Sequence, residues 1–173
     1  DAEGRVIYLG SLSKTLAHGL RLGFIVAPAE LIRELRAVRR LMMRHVPSNN
    51  AHIASLFIAQ GHHDAFIRKL NVTYRDRRLV LLTAMQRWMP DCFVSEAQGG
   101  SGAWVRGPAG FDALAVTRQA QARGVLIESG RVFFAQPNVA SYRFFRMGYS
   151  AIGSAAIEAG VRELYEARKY AGV

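Results

Sequence analysis

Apolar residues follow two rhythms along this 173-residue chain. Short runs rich in Val, Ile and Phe, at Val6–Leu9 and Phe24–Val26, predict two buried strands flanking a polar, glycine-containing turn. The period then becomes helical. Leu31, Leu35, Val38 and Leu41-Met42 predict a helix opened by Pro28 and running to about Arg44. Val46-Pro47-Ser48-Asn49-Asn50 breaks it; Ser48 or Asn49 can cap a second helix over Ala51–Gln60, which Gly61 stops. Asp64 can cap a longer third helix reaching roughly Met89, with Phe66, Ile67, Leu70, Tyr74, Leu81 and Met85 on its apolar side and Pro90 beyond its end.

Past Pro90 the pattern changes again. Cys92–Ser95, Ala103–Arg106, Val125–Glu128, Val132–Phe134 and Phe144–Tyr149 read as strands. Phe111–Arg123, ended by Gly124, and Ser154–Lys169, capped by Ser154 with Glu158 nearby, read as amphipathic helices. Strands interleaved with two helices predict an α/β arrangement, with an antiparallel or mixed sheet covered on one face. No linker rich in Ser or Gly separates the halves, so the long helix is the expected connector between residues 1–74 and a small domain over 75–173.

Composition narrows the classes. No run of 18 apolar residues exists, which excludes a spanning helix of ordinary length. The single cysteine, Cys92, excludes an internal disulfide and a cysteine-based metal cluster, and it fits a reducing, cytoplasmic setting. The formal net charge is +10. Much of it lies on predicted helices, at Arg33, Arg36, Arg39, Arg40 and Arg44 and at Arg68, Lys69, Arg75, Arg77 and Arg78, as on solvated or interdomain faces. No basic-aromatic stacking pattern, zinc finger or RNA-binding signature accompanies it. His18, His45, His52, His62 and His63 lack the carboxylate-rich spacing of a metal site, so no metal is expected. Trp88, Trp104 and Phe133-Phe134 read as packing rather than a ligand cage.

The chemistry concentrates between the first two strands, in Gly-Ser-Leu-Ser-Lys-Thr (10–15) and Gly-Leu-Arg-Leu-Gly (19–23). By residue type alone, Lys14 also fits a solvated surface lysine. Its neighbours add to that. A Schiff-base lysine must be neutral part of the time, which partial desolvation and a nearby cation promote. A phosphate needs hydroxyls, backbone N–H groups and a guanidinium fork, and Ser11, Ser13 and Arg21 supply those types beside Lys14.

Ser-x-Ser-Lys followed after six residues by Arg-x-Gly, between two strands, resembles the lysine segment of fold-type-I pyridoxal-phosphate enzymes, the class I/II aminotransferases. Gly99–Pro108 resembles the start of that family's small domain, Arg123–Gly130 its "rGVliepG" segment with Ser129 where proline is frequent, and Phe145–Tyr149 its "lRlgF" strand. The resemblance implies that residues 1–74 are the end of a cofactor-binding large domain. It implies that pyridoxal 5'-phosphate is held as an aldimine on Lys14, with Ser11 and Arg21 on the phosphate and Ser13 nearby. It also implies that Arg146 binds a ligand's α-carboxylate, with Arg143 as the competing candidate.

Arg40–His45, Asn49-Asn50 and Leu56–His62 are more similar to MocR-type regulators of the GntR family, in which a winged-helix DNA-binding domain precedes an aminotransferase-like domain. That resemblance implies a transcription regulator that senses an amino compound by aldimine exchange at Lys14. DNA would be contacted only through a missing N-terminal domain, and a homodimer is the default. The alternative it leaves open is an aminotransferase acting on an amino acid. The family's phosphate loop, ring-stacking aromatic and ring-nitrogen Asp precede the lysine by more than the thirteen residues present here. The expectation is a C-terminal fragment that is catalytically incompetent alone.

Overall fold

The computed structural model describes residues 3–97 and 99–172. They form two compact units, 1–70 and 71–173, whose boundary falls inside one long helix.

The first unit begins with a hairpin. Strand β1 (Tyr8–Ser11) pairs antiparallel with β2 (Gly23–Val26), in a register running from Tyr8 opposite Val26 to Ser11 opposite Gly23. Helix α1 (Ala29–Met43) follows, with Pro28 at its N-cap, Glu30 in its first turn and Arg40 in its last. Both charges complement the helix dipole. Helix α2 (Ser48–Ala59) starts earlier than its apolar pattern predicts. Its N-cap is Pro47, and Ser48 and Asn49 lie inside its first turn, with no side-chain cap at its start. Gly61, at φ +75°, ends that turn.

One expectation for this unit needs correction. The hairpin strands are not buried: Leu9 is 70% exposed, and Tyr8, Phe24, Ile25 and Val26 are also exposed. A two-stranded ribbon has no second layer of its own, and no helix of the unit covers it among the described residues. Likewise α1 buries no residue, and Leu41 is 88% exposed. Only Leu22 and Ala54 are buried apolar side chains among the unit's described residues.

Helix α3 (His62–Trp88) begins two residues before Asp64, which therefore sits in its first turn rather than at its cap. At about 1.5 Å per residue, its 27 residues span roughly 40 Å. In the second unit, β3 (Phe93–Val94), β4 (Gly102–Arg106), β5 (Glu128–Ser129) and β6 (Phe144–Gly148) form one antiparallel sheet in the order β3-β4-β6-β5. Strict alternation sends Ala103 and Val105 of β4 and Phe145 and Met147 of β6 into the core. There they meet Leu81, Met85 and Met89 of α3 and its end, Val116 and Ala120 of α4 (Ala113–Ala122), and Ile157, Val161 and Leu164 of α5 (Ser154–Tyr170). Phe111 stacks on Phe145 at 5.5 Å between ring centroids.

Ion pairs tie the helices over this core: Arg123 to Glu163 at 3.2 Å between α4 and α5, and Arg87 to Glu158 at 2.8 Å between α3 and α5. The segment Val132–Phe134 is not a strand. A 3-10 helix covers Gly130–Phe133, and Gly130 at its start lies against the Phe144 backbone, where a Cβ would come within 2.6 Å of its carbonyl oxygen. Gly153, not Ser154, is the N-cap of α5.

Candidate functional site

The hairpin gathers the sequence-predicted cofactor residues at one end. Ser11 closes β1, and the ladder continues through a Leu12 N–H donating to the Leu22 carbonyl at 3.0 Å. The intervening segment 12–22 is thereby held as a loop, with a 3-10 turn at His18–Leu20. Ser11 Oγ accepts from the Ser13 N–H at 3.3 Å, and Thr15 Oγ1 donates to the Ser11 carbonyl at 3.5 Å. From α2, Asn50 Nδ2 donates to the Leu20 carbonyl at 3.2 Å and pins the far side of the loop.

Arg21 follows that turn at φ 51° and ψ 40°. This left-handed conformation is uncommon for a residue with a side chain. Residues held so cluster at functional sites, where the surrounding structure enforces them. Lys14 and Arg21 are both exposed, and neither makes an ion pair with a described residue. The partial desolvation expected for Lys14 is therefore not supplied by its own unit. An amine, two hydroxyls and a guanidinium free of carboxylate partners fit a phosphorylated aldehyde.

Arg146 lies in the second unit, in the middle of β6, on the sheet face turned away from the core. Its register neighbours are Trp104 on β4 and Glu128 on β5. Its Nη1 donates to Glu128 Oε2, and the two line a cavity of about 210 Å³ together with Leu126, Ile127 and Gly148. Trp104 stacks on Phe144 at 5.7 Å and meets Phe133 edge-on at 5.6 Å, forming an aromatic wall on the same face. At Gly102, on the neighbouring strand, a Cβ would come within 2.9 Å of the Met147 carbonyl oxygen.

Arg143 differs. It ends the 3-10 helix Val139–Arg143, and its Nε is buried without a hydrogen-bond partner. Neither Glu128 nor Trp104 stands out as a site residue in the sequence. Strand alternation places Trp104 and Arg146 on some face, but only pairing brings the three side chains together.

Other reactive groups lead elsewhere. A hollow of about 530 Å³ beside α3 is lined by Tyr74, Arg75, Arg78 and Tyr149, and Arg78 is already tied to the Ser95 carbonyl at 3.1 Å. Burial pushes the Cys92 thiol up to about 11, with Asp91 adding to the shift, so this thiol is not a ready nucleophile. Among the described residues no group of three His, Cys, Asp or Glu side chains can hold a metal ion, and no helix is long and apolar enough to cross a membrane.

An α/β chain with this hairpin, long helix and antiparallel sheet has the fold of the fold-type-I aminotransferases. One solved member is LysN, the α-aminoadipate aminotransferase of Thermus thermophilus, in complex with N-(5'-phosphopyridoxyl)-L-leucine. It matches with a TM-score of 0.86 at 29% identity, over 96% of this chain and 42% of that one. The profile of the family "Aminotransferase class I and II" matches residues 1–164, and the chain belongs to that family. The cofactor that goes with this family and fold is pyridoxal 5'-phosphate.

The relatives include transcriptional regulators and aminotransferases. The HTH-type transcriptional regulator TauR of Rhodobacter capsulatus is 40% identical over 167 residues, 96% of this chain and 34% of that protein. Aromatic-amino-acid aminotransferase 1 of Thermococcus litoralis is 33% identical over 170 residues, 98% of this chain and 40% of that protein. The chain thus spans about a third to two fifths of the length of these relatives.

Proposed function

We propose that this chain is the pyridoxal-phosphate-binding effector region of a MocR-type, GntR-family transcription regulator that senses an amino compound. The observation that carries this reading is the 40% identity to an HTH-type transcriptional regulator across 96% of the chain. Contact with DNA belongs to a separate domain of the whole protein, which acts as a homodimer in the cytoplasm.

When bound, the cofactor supplies an aldehyde that an amine can attack and a phosphate that anchors it. Lys14 Nζ is the covalent anchor. Ser11 and Arg21 hold the phosphate, with Ser13 beside them. The left-handed backbone at Arg21 supports that role, because it turns the chain sharply just before β2. Arg146 recognises the acid group of the amino compound through its planar fork. The 173 residues alone are without transaminase activity, because Lys14 is open to water and this chemistry needs a site that excludes it.

A second reading, an aminotransferase acting on an amino acid, is favoured by the 33% identity to the aromatic-amino-acid aminotransferase. Lys14 would then also move protons as a general acid–base. Transamination by the whole protein with a panel of amino acids selects between the two.

The test is spectroscopic. Cofactor added to the whole protein should give a bound-cofactor absorbance that Lys14→Ala abolishes, and Arg146→Ala should weaken binding of the amino compound by about 10- to 100-fold. An unchanged band in Lys14→Ala, or unchanged affinity in Arg146→Ala, would sink the corresponding assignment.

A further inference from the structure

We infer that Glu128 is a built-in competitor for the acid group that Arg146 recognises, and that it biases the site toward ligands carrying a single negative charge. The inference rests on reading Arg146 as an acid-binding residue.

Glu128 and Arg146 are direct cross-strand partners, so their side chains leave the same face of the sheet at adjacent positions. Glu128 Oε2 occupies Arg146 Nη1, where an incoming carboxylate would bind. Both side chains are partly open, Arg146 at 39% and Glu128 at 56%. An exposed pair of this kind is weak, within about a fivefold change in an equilibrium constant. A ligand acid group can therefore displace it.

Displacement does not remove Glu128. The backbone pairing of β5 with β6 keeps its Cα opposite that of Arg146, so its carboxylate stays within a side chain's reach of the guanidinium. A bound monoanion then has one like charge for a neighbour. A second acid group on the ligand placed beside Glu128 would add a further like-charge contact, of the same modest size as the exposed pair itself. The opposite register neighbour, Trp104, offers an apolar surface and no compensating charge. The ligand class favoured is a monoanionic amino compound with an apolar remainder over a dicarboxylate.

The experiment follows the Arg146 Nε–H resonance in ¹⁵N-labelled protein, assigned with Arg146→Lys. The titrants are acetate, with one charge, and succinate, with two; both lack a side chain that a pocket could reject. Glu128→Gln keeps the size of the side chain, and the remaining resonances report that the fold persists. The expected result is a lower midpoint in Glu128→Gln, up to about fivefold for acetate and by a larger factor for succinate. No lowering, a gain for succinate no larger than that for acetate, or no response of Arg146 in either protein overturns the inference. If Arg146→Ala loses the amino compound while Glu128→Gln gains nothing, only the role of Glu128 falls. If Arg146→Ala binds as before, the acid-binding reading itself falls.

Discussion

Asp91 and Arg168 meet through two hydrogen bonds, at 2.7 and 2.6 Å, one to each carboxylate oxygen. This bidentate contact holds the Asp91 carboxyl below the usual carboxylate range and raises the guanidinium in turn. A carboxyl lowered in the folded state stabilises the fold above its unfolded pKa of about 3.9, and that contribution is lost as pH falls through the folded value. The stability of Asp91→Asn should therefore fall less than the parent's between pH 5 and the acid limit, as measured by urea unfolding across that range. At this scale the lysine loop was legible, because Lys14, Arg21 and the serines are close in sequence and their types declare their chemistry. The partners of Arg146 were not. Glu128 and Trp104 lie 18 and 42 positions away in sequence, and they reach it only through strand pairing.

Helices start and stop where a residue satisfies the backbone groups that their terminal turns leave open. Asp112 does so for α4: its Oδ1 accepts from the Leu114 and Ala115 N–H groups at 2.9 and 3.1 Å. Asp112→Ala should cost about 1 kcal/mol, seen as a lower denaturation midpoint with an unchanged slope. The helices were largely readable from their apolar period, and Gly124, at φ +77°, ends α4 as expected. The short strands were less so. Val125–Glu128 has a strand-like composition, yet the ladder forms at Glu128–Ser129, and Val132–Phe134 gives way to a 3-10 turn. A run of three or four apolar residues fits either conformation, so its period cannot decide between them.

Across the whole molecule the core is unevenly distributed. The buried cluster draws its members from Leu81 to Ala167, all in the second unit. Among the described residues the hairpin of the first unit pairs with no third strand, and its apolar side chains are exposed. Amide hydrogen exchange should therefore be slower in Gly102–Arg106 and Phe144–Gly148 than in Tyr8–Ser11 and Gly23–Val26, by at least about a hundredfold. Comparable protection in both hairpin strands would show that the first unit is stabilised by more than its own contacts.

The amino-acid sequence by itself determined the family, the donor types around Lys14 and the approximate position of every α-helix, because those properties reside in local spacing and residue chemistry. Tertiary structure alone decided that the apolar hairpin strands stand open and that Arg146 lies between a tryptophan and a glutamate. Layer coverage and strand register are set by contacts between distant parts of the chain, and no local period encodes them.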